Sequence, residues 1–236
     1  MKFGKILASI VLFFASFFVS AVEVVNAGHS GWNSRQLREI FAGELQKHRP
    51  DLVILMVGTN DNLNSYNLIP LAEYRENLTA MVSAAKSAGA KVLLCEIPNV
   101  NQEMMAKRHK EEFFRQESAE KKVNNVNAIV AEVAKNQNVP LLATTKVLGA
   151  STQNAASLFR NPANSGAPDG VHPTPNGYFR LADAIAKRIW TEKWTPKRIL
   201  CIGDSITFGE GVKGGGSASP DSESYPGRLS RFLNGK

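Results

Sequence analysis

The stretch DLVILMVGTND, residues 51–61, decides how the rest of the chain is read. Leu52 to Val57 are apolar without a break, and Gly58-Thr59-Asn60-Asp61 then turns the segment into a polar loop. A strand with no polar face is covered on both sides, as strands are in parallel sheets whose crossovers are helices. Short, largely apolar strand-like runs recur at VEVVN (22–26), KVLLCEI (91–97), VPLLA (139–143) and RILCIG (198–203). Between these runs apolar residues recur at helical spacing. Leu37, Phe41 and Leu45 mark one face of a helix over 34–48, and Val123, Val126, Val130 and Val133 mark one over 122–137. Further helices are predicted over 71–88, closed by Gly89, over 176–192 and over 224–234. Strands alternating with amphipathic helices define an α/β protein with a parallel sheet covered on both faces. The 236 residues suffice for one such domain with a sizeable core. GVKGGGSASPDSES (211–224) reads as a mobile loop, not a domain boundary, because a helical pattern follows it.

The chain starts differently. MKFGK carries a charged end, ILASIVLFFASFFV supplies an uncharged apolar run, and Val19-Ser20-Ala21 offers small residues for processing. That layout predicts a signal peptide over 1–21, cleavage after Ala21, a single domain over 22–236, and a secreted or periplasmic protein. The apolar run is short for a membrane span, which takes roughly 20 residues, so no stable membrane partner is expected after cleavage. The formal charge of +7 includes Lys2 and Lys5 of the leader, so the rest carries a mild +5. The densest basic run, AKRHKEEFFRQESAEKK (106–122), is interleaved with acids. It reads as a solvated helix face and predicts no nucleic-acid partner.

Loops leaving the carboxyl ends of parallel strands converge on one edge of the sheet, where ligands bind. Four such loops carry chemistry here: NAGHSGWNS (26–34), GTND (58–61), GDSIT (203–207) and, before a helix, APDGVHPTPNGY (167–178). Singly, each is ordinary turn chemistry. Together they bring a serine, a histidine, an acid three residues before it and polar donors to one rim. Those are the parts acyl transfer needs: a hydroxyl, a base, a group that orients the base, and donors for the oxyanion. A G-x-S-x-G elbow is excluded, because position 207 is Thr207.

The set resembles the SGNH (GDSL) hydrolases, esterases and lipases with a flavodoxin-like three-layer α/β/α sandwich around a five-stranded parallel sheet. The resemblance implies Ser205 as nucleophile, His172 as base and Asp169 as its orienting acid. It implies an oxyanion hole from the N–H groups of Ser205 and Gly31 and the side chain of Asn60. In the family's usual order the GDS motif comes first and the Asp-x-x-His last, whereas here GDS follows Asp-x-x-His, so the resemblance implies a circularly permuted chain. The expected reaction is ester hydrolysis through an acyl-enzyme, on a small-molecule or carbohydrate ester with a short acyl or acetyl group. A lysophospholipase or thioesterase of the same fold, or an inactive carbohydrate-binding relative, are the alternatives.

Trp32, beside Gly31, is expected to border the acyl or alcohol pocket. His29 reads as a solvent-facing loop residue, His48 as a helix-end cation and His109 as part of the mixed-charge run; none is assigned chemistry. Four dispersed histidines and two cysteines in strand interiors form no metal-ligand spacing, so neither metal nor cofactor is expected. Cys95 and Cys201 are expected as free, buried thiols.

Overall fold

The computed structural model describes residues 21–109 and 112–235. The predicted leader, apart from Ala21, therefore lies outside the described residues. The elements run β1 (Glu23–Gly28), α1 (Ser34–His48), β2 (Leu52–Met56), α2 (Thr59–Leu63), α3 (Leu71–Ser87), β3 (Lys91–Cys95), α4 (Gln102–Ala106) and α5 (Phe113–Gln116). They continue with α6 (Ala119–Gln137), β4 (Leu141–Leu142), α7 (Thr144–Leu148), α8 (Pro162–Ser165), α9 (Pro175–Thr191), β5 (Arg198–Gly203), α10 (Ser205–Phe208) and α11 (Tyr225–Leu233).

All five strands are parallel, in the order β1-β5-β2-β3-β4. The last strand in sequence thus lies between the first two, with Cys201 facing Asn26 on one side and Ile54 on the other. The unbroken apolar runs are explained by two cores. Val53, Leu55, Leu200 and Ile202 point to one face, with Leu37, Phe41, Leu78, Val126 and Val130 of α1, α3 and α6. Leu52, Ile54, Met56, Ile199 and Cys201 point to the other, with Tyr178, Leu181, Ile185 and Leu229 of α9 and α11. Each such aliphatic side chain, fully buried, contributes roughly 1.5–3 kcal/mol. The result is a three-layer α/β/α sandwich, and its parallel sheet sends the β1, β5 and β2 exits to one edge.

Helix starts follow local chemistry. Asn33 caps α1 and forms a reciprocal box with Gln36, and Ser118 caps α6 through the Lys121 N–H. That cap is why α6 begins three residues before the predicted start. The run 106–122 is not one solvated helix face: α4 ends at Ala106, α5 is a single turn, and α6 starts at Ala119. VPLLA yields only Leu141 and Leu142 as strand, at the sheet edge and after Pro140, which has no N–H to donate.

The stretch 211–224, expected as a mobile loop, is a folded one. The Gly216 N–H donates to Phe208 O at 2.6 Å, Glu223 N–H to Lys213 O at 2.9 Å, and Ser222 Oγ to Gly214 O at 2.8 Å. At the opposite pole of the chain, Asn234 after α11 accepts from the Val22 N–H at 2.8 Å and donates to Val22 O at 3.0 Å.

Candidate active site

Ser205 leaves β5 through a tight turn. A Cβ on Gly203 would lie 1.9 Å from Met56 O, so only glycine lets β5 pass β2 this closely. Asp204, fully buried, caps α10 by accepting the Ile206 N–H at 3.0 Å. Burial raises its pKa, against the lowering effect of that N–H and of nearby Thr59. Ser205 follows as the first residue of α10.

The loop before α9 brings His172 to it. His172 Nε2 lies 2.9 Å from Ser205 Oγ, while Nδ1 lies 2.9 and 3.1 Å from the two carboxylate oxygens of Asp169. A carboxylate can only accept, so the ring carries its proton on Nδ1 and leaves Nε2 to accept from the serine hydroxyl. Asp169 Oδ1 also accepts the Val171 and His172 N–H groups at 3.0 and 2.9 Å, an Asx turn that fixes the carboxylate. Burial alone would raise the pKa of Asp169. The His172 ring and those two N–H groups outweigh it and hold the carboxyl well below the usual range. Behind the loop, residues 158–160 run antiparallel to 170–174: Arg160 N–H donates to His172 O at 2.9 Å and Gly170 N–H to Arg160 O at 2.8 Å.

Gly31 and Asn60 face the same space. Gly31 has φ +80, a left-handed conformation that glycine adopts without strain. The Asn60 amide is oriented from both ends: Nδ2 donates to Trp32 O at 2.9 Å and Oδ1 accepts from Asn64 at 3.0 Å. Ser205, His172, Asp169, Gly31 and Asn60 all line one cavity of about 360 Å³. Its remaining wall includes Ser30, Leu63, Asn64, Met105, Arg108, His109, Arg160 and Glu210.

Trp32 contributes to this site by its carbonyl. Its ring stacks on His29 at 4.1 Å and packs against the core, away from the cavity wall. His29 is correspondingly half-buried, and burial lowers its pKa. His48 pairs with Glu44 at 3.3 Å at the end of α1. His109, assigned no chemistry from sequence, forms part of the cavity wall and lies 3.3 Å from Ser65 Oγ.

The two donor loops are joined by a buried carboxylate whose role no sequence motif marks. Asp61 is fully buried, and its carboxylate accepts the Ser34 N–H at 3.0 and 3.2 Å. Asn77 donates to Ser34 Oγ at 3.1 Å, and Arg38 to Asn77 Oδ1 at 3.0 Å. Asn67 adds a bond to Gly31 O at 2.7 Å. Burial pushes Asp61 up to about 6, with the Ser34 bonds opposing and the buried Asp204 adding to the rise. Its only sequence signal was its place in GTND.

Cys95 and Cys201 are free and buried, on β3 and β5 with β2 between them. Burial pushes both thiols well above their ordinary range. Among the described residues no three His, Cys, Asp or Glu side chains cluster as metal ligands.

Fold and relatives define the class first: a carboxylic ester hydrolase on a three-layer α/β/α sandwich. The chain belongs to the GDSL-like lipase/acylhydrolase family, whose model matches residues 13–180. That span holds Gly31, Asn60, Asp169 and His172, and Ser205 lies beyond it. An arylesterase of Vibrio mimicus is 31% identical over 171 residues, 71% of this chain and 70% of that protein. An isoamyl acetate-hydrolyzing esterase of Saccharomyces cerevisiae is 26% identical over 181 residues, 72% of this chain and 70% of that protein. A match to a rice GDSL esterase/lipase spans only 40% of that protein's length. Among solved structures, an acetyl-xylooligosaccharide esterase from Geobacillus superposes with a TM-score of 0.52 at 22% identity, over 68% of each chain, and shares the fold.

Proposed function

We propose that this protein is a serine esterase cleaving short-acyl or acetyl esters of small alcohols or sugars. The observation that carries the reading is the unbroken hydrogen-bonded relay from Asp169 through His172 to Ser205, opening on a cavity that Gly31 and Asn60 share. His172 takes the Ser205 proton as Oγ attacks the ester carbonyl. The oxyanion forms within reach of the Ser205 and Gly31 N–H groups and the second amide hydrogen of Asn60, which the bond to Trp32 O leaves free. His172, now protonated and held by Asp169, passes its proton to the departing alcohol. Water, activated by the same ring, then frees the acid and restores Ser205.

A cavity of this size suits a small ester, and acetyl esters are what the yeast and Geobacillus proteins are named for. The deciding experiment is turnover on p-nitrophenyl esters of rising chain length and on acetylated sugars, with Ser205→Ala as control. Highest kcat/KM on acetyl or butyryl esters, abolished by Ser205→Ala, is the expected result. Preference for long-chain, lysophospholipid or thioester substrates, or turnover by Ser205→Ala, contradicts it.

The reading extends to the whole chain. Residues 22–236 act as one domain, exported behind the leader at 1–21, and the motif order reflects a circular permutation of the family's arrangement. The position of β5 between β1 and β2 supports this, as does the Asn234–Val22 pairing that sets the two described ends side by side.

A further inference from the structure

The glycine-rich segment after the nucleophile has a function in the structure that its sequence does not reveal. Gly211 has φ +80, and a Cβ there would lie 1.6 Å from Arg160 Nη1 and 2.4 Å from its Cζ. The side chain of Arg160 therefore fills the space beside Gly211, in the segment that follows Ser205. From that seat Nη1 reaches Asp169 Oδ2 at 3.8 Å, the same oxygen that faces His172 Nδ1 at 2.9 Å. The backbone of Arg160 is fixed as well, between His172 O and Gly170 N.

We propose that Arg160 is a positioning residue, seated on Gly211, that ties the nucleophile's segment to Asp169 and sets the charge His172 experiences. The inference rests on the triad reading above. Arg108 also reaches the carboxylate, at 3.7 Å from Asp169 Oδ1, but it is 39% exposed and makes its shortest bond, 2.7 Å, to Asp169 O, whereas the Arg160 side chain is only 20% exposed and its charge is less screened. The other ionisable groups around the pair are Asp204 beneath Ser205, Glu210 bonded to Ser30 across the cavity, Tyr178 of α9, whose hydroxyl donates to Glu210 O, and His109 in the cavity wall. Arg160 adds positive charge against this acidic surround. A positive charge held this close to an imidazole opposes its protonation.

The test is the pH profile of kcat/KM for p-nitrophenyl acetate in the full protein. Arg160→Met should move the acid limb to higher pH by roughly half a unit and lower kcat about tenfold. Arg160→Lys, which keeps the charge, should hold the limb while kcat still falls. Gly211→Ala, whose methyl would displace the guanidinium while leaving Arg160 itself in place in the sequence, should move the limb in the same direction as Arg160→Met, and it decides the matter if the methionine variant does not fold. A limb that stays at the parent's pH in Arg160→Met or in Gly211→Ala overturns the proposal, whatever happens to kcat. Ser205→Ala in the same buffers separates the two failures. Turnover there removes the triad reading itself, whereas an inactive Ser205→Ala beside an unmoved Arg160→Met limb removes only the role of Arg160.

Discussion

Asp61 and Asp169 are both buried carboxylates at the candidate site, and their surroundings drive them in opposite directions. Asp169 is held low by a histidine and two N–H groups, which favour its ionised form. Its stability contribution is present above the ordinary Asp range and is lost as pH falls toward its depressed folded value. Asp61, raised from 3.8 to about 6, behaves in the reverse sense. It costs nothing below its unfolded value, and ionising it in place costs on the order of 3 kcal/mol by the time pH has passed its folded value. Asp61→Asn keeps an acceptor for the Ser34 N–H and removes that cost. Urea melts at pH 4.5, 5.5 and 7.5 should show variant minus parent stability growing with pH, and a flat difference contradicts the account. Asn60→Ala should lower kcat by roughly 10²–10³ if its amide serves the oxyanion, and parental turnover would remove it from the site. The motifs holding Ser205, His172 and Asp169 stood out in sequence because they carry residue type and spacing together, and the structure brings the three side chains into hydrogen-bond contact. Asp61, Arg160 and His109 did not stand out, because their burial or position on the cavity wall is created by distant segments.

At the scale of elements, the long helices and apolar strands were legible because periodicity is local: α1 runs over the predicted 34–48, and β5 over the predicted 198–203. The two-residue edge strand β4, the one-turn helices and the folded 211–224 segment depend on tertiary contacts that no local pattern announces. Glycines show the same division. Gly203 is required by the approach of Met56 O, whereas Gly43, on the exposed face of α1, would meet nothing with a Cβ. Gly203→Ala should therefore destabilise by about 1–3 kcal/mol or more through overpacking. Gly43→Ala should stabilise by roughly 0.5–1 kcal/mol through helix propensity. Denaturant unfolding of both variants checks the pair, and equal effects of the same sign would contradict the strand-crossing argument.

The whole molecule places its last strand between its first two, so the position of Ser205 depends on pairing between strands far apart in sequence. A re-ordered chain running from Lys197 through Lys236, then a short Gly/Ser linker, then Val22 to Trp194, should fold and hydrolyse the same esters. Closing neighbouring ends costs little entropy, and an insoluble or inactive product beside an active parent would argue against the permutation. The central claim, that Ser205 is the nucleophile, is most directly tested by treating the intact protein with a fluorophosphonate and following mass and esterase activity together. The account predicts one adduct per chain, mapped to the peptide containing Ser205, appearing in step with the loss of activity and absent from Ser205→Ala. Full inactivation with the adduct on another residue, or an esterase-active Ser205→Ala protein, would contradict it.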